Sequence, residues 1–387
     1  REKGNFFQGS TADPDMDGWQ WRRALRNTGS ASSPTGPHRG ALVERRTHQP
    51  VLAIASQERT QRAPSRVGLA FSLGNVELVK TLDRVARLAT MSSMRSYQTD
   101  AHSPLKAVVG HLGQPAFSVP GVAIYQGDCL ALLRRLRGHP FRLTVTSPPY
   151  NIGKAYEKAR PVGDYLTWCG EWITEIHRLT DSYGAFWLNL GYFELEGRAK
   201  AIPIPYLLWD RVPFYLIQEI VWNYGAGVAG KTSFSPRNEK FLWYVKNPSR
   251  YTFNLDEVRD PDVKYPNQKK NGKLKCNPLG KNPTDVWQFP KVTSGRDRSS
   301  AERTPHPAQF PVAVIERIVK ACSVPGDLIL DPFLGSGTVA EVALRCGRSV
   351  VGFETQEAYV GIARERIEQT LEDMTAAKSQ GRLFALE

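Results

Sequence analysis

The sequence predicts an α/β fold built on a parallel-dominated, doubly wound sheet. Three observations carry the expectation. From about residue 117 short apolar runs alternate with amphipathic stretches, the pattern of strands joined by helical crossovers. A glycine-rich turn, Asp331-Pro332-Phe333-Leu334-Gly335-Ser336-Gly337-Thr338, joins one apolar run to a helical segment; in open α/β sheets such a turn is where a ligand meets a helix N-terminus. Ser147-Pro148-Pro149-Tyr150 closes another apolar run. It sets a hydroxyl, two backbone-restricting prolines and an aromatic ring at one strand end.

The elements follow in order. Residues 1–70 are rich in Ser, Pro, Gly, Thr and Arg without periodicity and read as disordered. Residues 1–116 together are expected to form a basic, disordered extension, with one short amphipathic helix at 76–88. The sequence opens on Arg1, so a fragment or a translation begun upstream of the true start is expected, with Met91 and Met94 as candidate starts. Val122-Ala123-Ile124-Tyr125 reads as a strand, Gly127-Asp128-Cys129-Leu130 as a turn into a helix, and 141–146 as a second strand running into Ser147. Tyr165, Trp168, Trp172, Ile173, Ile176 and Leu179 share one helical face. Strands are expected at 185–190, 217–222 and 241–245. Residues 250–303 lack periodicity and read as an inserted, loop-rich module. A helix at 310–321, a strand at 328–330, a helix from Gly337 to Cys346, a strand at 349–353 and a closing helix at 359–371 complete the scheme. The expected organisation is thus 1–116, 117–249, 250–303 and 304–387.

Charge sharpens this division. The 387 residues carry a formal net charge of +13. Residues 225–303 hold +8 and residues 1–116 hold +7, whereas 117–224 hold +1 and 304–387 hold −3. Two basic segments flanking a near-neutral scaffold point to a polyanionic partner, with solubility alone as the plainer alternative. The five cysteines include no Cys-x-x-Cys pair, which argues against a zinc site or a disulfide framework, and no metal is expected. No apolar run approaches a membrane span. A cytoplasmic protein with no membrane partner is expected.

The glycine-rich turn carries ligand chemistry. Gly335 and Gly337 let the backbone approach a ligand closely. Glu354 ends the next strand, where an acid suits the two hydroxyls of a ribose. A nicotinamide dinucleotide is one rival, but the third glycine of its fingerprint is Ala340 here. Asp331, just before the turn, disfavours a pyrophosphate and suits a cationic cofactor such as S-adenosyl-L-methionine.

With both motifs in place, the chain resembles the amino-methyltransferases of DNA. These move a methyl group from S-adenosyl-L-methionine to N4 of cytosine or N6 of adenine. The resemblance spans about residues 117–370. Thr146-Ser147-Pro148-Pro149-Tyr150 resembles the family's catalytic motif and Asp331–Thr338 its cofactor motif. Thr304-Pro305-His306-Pro307-Ala308-Gln309-Phe310-Pro311 resembles the helix entry before the cofactor motif. Gly127-Asp128-Cys129-Leu130 resembles the turn whose acid meets the cofactor's adenine. The order, catalytic motif first and cofactor motif last, is that of the family's beta group, which implies a Rossmann-like sheet with permuted motifs. The resemblance implies cofactor contacts from Asp128, His306, Phe310, Asp331, Phe333, Gly335, Gly337, Thr338 and Glu354, and catalysis by Ser147, Pro148, Pro149 and Tyr150. Serine as the first residue of the motif goes mostly with cytosine N4 in this family, and aspartate or asparagine mostly with adenine N6.

The chemistry fits these residues. The exocyclic amine of cytosine is a poor nucleophile because its lone pair is conjugated with the ring. Acceptors such as Ser147 Oγ and the Pro148 carbonyl favour a pyramidal, more reactive nitrogen. Tyr150 offers a face for an extruded base. Cytosine C5 chemistry needs a cysteine nucleophile, usually after proline, and no Pro-Cys dipeptide occurs.

The basic segment 225–303 lies where the family places target recognition. Lys269, Lys270, Lys273 and Lys275 are of the type that holds phosphates. Arg237, Arg296, Arg298 and Asn271 are of the type that reads base edges. Double-stranded DNA is the expected partner, with a cognate restriction endonuclease acting separately. Adenine N6, another planar amine in RNA or protein, and a catalytically silent DNA-binding protein stay open as alternatives.

Overall fold

The computed structural model describes residues 103–383, except 155, 156, 226, 228, 293–299 and 301, with side chains to 377. The helix expected at 76–88 lies outside the described residues, as does most of the extension 1–116. Its last part is a correction. Residues expected to be disordered instead form helix α1 (Pro104–Leu112), which opens on a proline, ends at Gly113 in the left-handed region and buries Val108 and Leu112. Only two buried positions on a short turn of chain made that pattern too sparse to read.

Strand β1 (Phe117–Val119) turns back antiparallel on β2 (Val122–Gln126). Asp128 then caps α2 (Cys129–Arg135), its side chain accepting from the Ala131 N–H at 2.9 Å. β3 (Phe141–Thr146), α3 (Val162–Leu179) and β4 (Thr180–Leu190) form one crossover unit of strand, helix and parallel strand. A small hairpin, β5 (Tyr192–Leu195) with β6 (Ala199–Pro203), leads through the single turn α4 (Ile204–Leu207) to β7 (Tyr215–Asn223) and the antiparallel β8 (Asn238–Val245). Next come the two-residue strands β9 (Lys269–Lys270) and β10 (Lys273–Leu274), then β11 (Val286–Gln288). The last segment reads α5 (Val312–Cys322), β12 (Leu328–Asp331), α6 (Thr338–Arg345), β13 (Ser349–Glu354) and α7 (Glu357–Leu383).

Among the described residues the main sheet has nine strands in the order β1-β2-β13-β12-β3-β4-β8-β7-β11. β2, β13, β12, β3 and β4 run parallel, and β8 enters antiparallel beside β4. Alternating side chains of the parallel strands feed two apolar layers. Ala123, Tyr125, Leu328 and Leu330 join Leu133, Trp172 and Ile173 of α2 and α3. Val122, Ile124, Leu143 and Ile329 join Val314, Ile318, Val339 and Ala363 of α5, α6 and α7. Helices therefore cover both faces, which is why both faces of the central strands are largely buried.

β11 lies inside 250–303 and yet belongs to the main sheet, pairing parallel with β7. Trp287 is buried there, stacked 5.7 Å from Trp187, which also stacks on Trp243 at 5.5 Å. Asn254 donates to the carbonyls of Lys320 and Ser323 at the end of α5. Both ends of this segment are thus tied to the scaffold.

Candidate active site

β12 and β3 lie side by side, pairing Ile329 with Leu143 and Leu330 with Thr144. From β12 the chain crosses over to β13 on one side; from β3 it crosses to β4 on the other. This reversal opens a crevice at the carboxyl ends of the strands. A cleft of about 610 Å³ occupies it, and both signature motifs line it. One hydrogen bond joins them: Thr146 Oγ1 donates to Asp331 Oδ1 at 2.8 Å, across 185 residues of chain.

Asp331 sits at one end of the cleft. It is 3% exposed, and its Oδ1 also accepts the Phe333 N–H at 3.2 Å. Burial raises its carboxyl to about 7, against those two hydrogen bonds, with nearby Glu354 adding a smaller push upward. Among the described residues no Lys or Arg forms an ion pair with it. A buried carboxylate without a cation, facing a cleft, fits a positively charged ligand.

The turn after Asp331 has the backbone that glycine allows. Gly335 (φ +49°) donates its N–H to Glu354 Oε2 at 3.0 Å, and a Cβ there would meet the His306 ring at 3.0 Å. Gly337 (φ +76°) opens α6, and a Cβ there would meet Ala363 of α7 at 3.0 Å. Glu354 Oε1 accepts the N–H groups of Thr355 at 2.8 Å and Gln356 at 2.9 Å, so its carboxylate is held at the cleft wall. The His306 ring sits edge-on to Tyr359 at 4.3 Å, and burial lowers its pKa. Phe333 packs edge-on to Trp172 and Trp168, while Phe310 packs on Phe241. Thr338 Oγ1 donates to the Phe310 carbonyl at 3.4 Å. Asp128, besides capping α2, lines the same cleft. Eight of the nine residues expected at the cofactor line the cleft, and Gly337 packs behind the turn against Ala363.

Ser147 and Tyr150 form the other end. Ser147 Oγ lies 3.3 Å from Asn189 Oδ1 and 3.1 Å from the Tyr150 hydroxyl. The Tyr150 hydroxyl lies 2.6 Å from Asn189 Oδ1 and 3.3 Å from Glu239 Oε2. Asn189 Nδ2 donates to the Lys240 carbonyl at 2.9 Å, which turns its oxygen toward the two hydroxyls. Glu239 is paired with Lys291, whose ammonium sits 3.9 Å from the centre of the Tyr224 ring. Two hydroxyl protons therefore face two acceptors of the protein. With Tyr150 donating to Asn189, its shortest contact, and Ser147 donating toward the Tyr150 and Asn189 oxygens, the lone pairs of Ser147 stay open to a donor in the cleft. The Tyr165 hydroxyl donates to the Pro149 carbonyl at 2.7 Å and fixes the segment one residue beyond the Pro148 carbonyl.

Sequence reasoning missed Asn189, Gly191 and Lys291. Asn189 had a signal, as a lone amide in an apolar run, buried at 1% exposure. Gly191 had none. A Cβ there would lie 2.5 Å from the Tyr150 ring, so the missing side chain is what admits the tyrosine.

The lysines sit apart. Lys269, Lys270 and Lys273 lie on the exposed β9–β10 hairpin, with Lys275 just beyond it. Its turn is Asn271-Gly272, both at positive φ, the pairing that two-residue hairpins favour. None of these residues lines the cleft. Arg237 is half-buried just before β8, its Nη1 donating to the Pro236 carbonyl. Arg296 and Arg298 lie outside the described residues.

Residues 141–365, which hold both motifs and the cleft between them, match the model of the DNA methylase family of N6- and N4-type enzymes. The chain belongs to that family. It is an S-adenosylmethionine-dependent DNA methyltransferase. It is 63% identical over 257 residues to the type II methyltransferase M.ScaI of Streptomyces caespitosus, covering 66% of this chain and 84% of that one. It is 32% identical to the DNA adenine methyltransferase YhdJ of Escherichia coli K12, covering 63% and 82% of the two chains. Its fold matches the solved PvuII DNA methyltransferase (cytosine-N4-specific) with a TM-score of 0.53 at 20% identity, over 67% of this chain and 93% of that one. No helix among the described residues is long and apolar enough to cross a membrane, and no cluster of metal-ligating side chains occurs among them.

Proposed function

We propose that this methyltransferase modifies N4 of cytosine at a specific site in duplex DNA, as the modifying half of a restriction-modification pair in the cytoplasm. The observation that carries the reading is Ser147. It gives the motif a neutral hydroxyl acceptor, with its own proton directed to the Tyr150 and Asn189 oxygens. A cytosine amine offers two N–H donors. Donation of one to Ser147 Oγ and of the other toward the Pro148 carbonyl draws the nitrogen lone pair out of conjugation and aims it at the cofactor end. The family's association of serine with cytosine N4 supports the same choice, and so does the fold likeness to a cytosine-N4 enzyme. The adenine enzyme at 32% identity keeps adenine N6 as the second reading.

Bound against Asp331, Glu354 and Phe333, S-adenosyl-L-methionine supplies an electrophilic methyl on a sulfonium. The protein's share is positional. Tyr165, Asn189 and Glu239 hold the Ser147–Tyr150 segment through the hydrogen bonds described above. The Thr146–Asp331 bond fixes that segment to the cofactor strand. Correct placement of the two reactants contributes much of the rate in such reactions. The basic hairpin residues Lys269, Lys270, Lys273 and Lys275 are proposed to bind backbone phosphate.

The test is chemical. Duplex DNA methylated by the purified protein is digested to nucleosides, which are separated and identified by mass against standards. N4-methyldeoxycytidine is expected; N6-methyldeoxyadenosine in its place overturns the choice of base.

A further inference from the structure

Directly after the catalytic tetrapeptide the chain makes a tied-down loop whose tip carries an apolar side chain. Asn151 adopts a left-handed conformation (φ +61°). Its side chain clasps the far end of the loop, Nδ2 donating to the Arg160 carbonyl at 2.8 Å and Oδ1 accepting the Arg160 N–H at 2.6 Å. Glu157 closes the near end. Its carboxylate accepts the N–H groups of Asn151 at 2.6 Å, Ile152 at 2.9 Å and Lys154 at 3.2 Å. Arg160 is anchored in turn over the Trp168 ring at 4.9 Å.

This bracing serves no apolar packing of Ile152, which is 47% exposed at the cleft wall, two residues from Tyr150. Lys154, Lys158 and Arg160 line the same rim. A rigidly presented apolar side chain beside a base-sized cleft, ringed by cations, has the composition of an element that enters a base stack while neighbouring phosphates are held. An enzyme that works on a base amine must draw the nucleotide out of the duplex, and the gap left behind costs stacking energy unless something fills it.

We propose that Ile152 is a wedge that occupies the space vacated by the target nucleotide, with Lys154, Lys158 and Arg160 holding the adjoining backbone. The inference rests on duplex DNA as the substrate. The wedge acts on the cost of opening the pair, not on the transfer, so its loss is repaired by any substrate in which the pair is already open.

The experiment compares wild type, Ile152→Ala and Ile152→Met on two duplexes built on the mapped methylation site. One is fully paired; the other has an abasic site opposite the target base. On the paired duplex Ile152→Ala is expected to lose about tenfold or more in kcat/KM. On the abasic duplex it should come within about threefold of wild type, and Ile152→Met should stay near wild type on both. Cofactor affinity, read by calorimetry, should be unchanged. Equal losses on the two duplexes would show a loop that positions the catalytic segment and would overturn the wedge, as would full activity of Ile152→Ala on paired DNA. Failure of the wild type to methylate any duplex DNA, so that no site can be mapped, would instead overturn the DNA reading, and the wedge with it.

Discussion

Replacing Asp331 by Asn separates the two demands on that residue. The amide oxygen still accepts from Thr146 and Phe333, so the two internal hydrogen bonds survive. The charge is removed, and an amide nitrogen takes the place of Oδ2, which makes neither of those bonds. In the protein without cofactor that charge is a burden, because burial lifts the carboxyl from 3.8 to about 7. The sign follows from linkage. Between these pH values the folded state binds a proton that the unfolded state has lost, so wild-type stability falls as pH rises through this window and is level above it. The span from 3.8 to about 7, at about 1.36 kcal/mol per pH unit, gives a burden of at most about 4 kcal/mol above pH 7. The Asn protein lacks it. Its Tm at pH 8 should exceed wild type by up to about 8 °C, at about 2 °C per kcal/mol for a domain of this size, and the difference should vanish near pH 4. Cofactor affinity should move the other way. A cation about 5 Å from the carboxylate at an effective dielectric of about 20 gains about 3 kcal/mol, so the Asn protein should bind S-adenosylmethionine roughly 10- to 100-fold more weakly. Wild-type affinity should also weaken below pH 7, where the carboxyl protonates. Thermal scans from pH 4 to 8 and calorimetric titration read both effects. An Asn variant no more stable than wild type at pH 8, with unchanged cofactor affinity, would refute the account of Asp331.

Three further outcomes are expected. Ser147→Ala removes the acceptor for the amine and should lower single-turnover transfer by about 10²–10³-fold with cofactor affinity intact. Gly191→Ala brings a methyl within 2.5 Å of the Tyr150 ring; displacement of the ring should cost about 1–3 kcal/mol of stability and reduce kcat, measured by denaturation and steady-state kinetics. Neutralising Lys269, Lys270, Lys273 and Lys275 together to Gln should weaken duplex binding and flatten its dependence on salt, by about 0.9 in the log–log slope for each phosphate no longer neutralised, with kcat at saturating DNA unchanged.

Much of the scaffold was legible because its signals are local. Leu328-Ile329-Leu330 is buried and wholly apolar, and in 141–146 the apolar Phe141, Leu143 and Val145 alternate with Arg142, Thr144 and Thr146, a period that a strand alone explains. The turn at Gly335–Gly337 announces itself by residues that only a positive φ requires. What was not legible depends on distance. β11 is three residues long and becomes a strand only because Trp287 finds Trp187, a hundred residues away in the chain. The closing helix was expected at 359–371 and runs Glu357–Leu383, since its polar later turns carry no apolar stripe to mark them. Helix α5 begins at Val312 and not at Phe310, because Pro311 occupies the cap and leaves Phe310 outside, where it lines the cleft. In the site, the motifs named Ser147 and Asp331, but the partners that orient them come from other strands. Asn189 of β4 and Lys291 beyond β11 reach this end of the cleft through sheet order, which no spacing along the chain encodes.

The strand order has a consequence for how the protein is made. β12 and β13 sit between β2 and β3, yet a ribosome delivers them some two hundred residues later. Until they emerge, β2 and β3 have no common neighbour, and two inner edges with their apolar faces stand open in the nascent chain. Cotranslational assembly from the N-terminal side is therefore blocked at the centre of the sheet, and the long-range pairing that closes it is of the slow kind. The waiting intermediate is the state in which a chaperone, or aggregation, would find this chain.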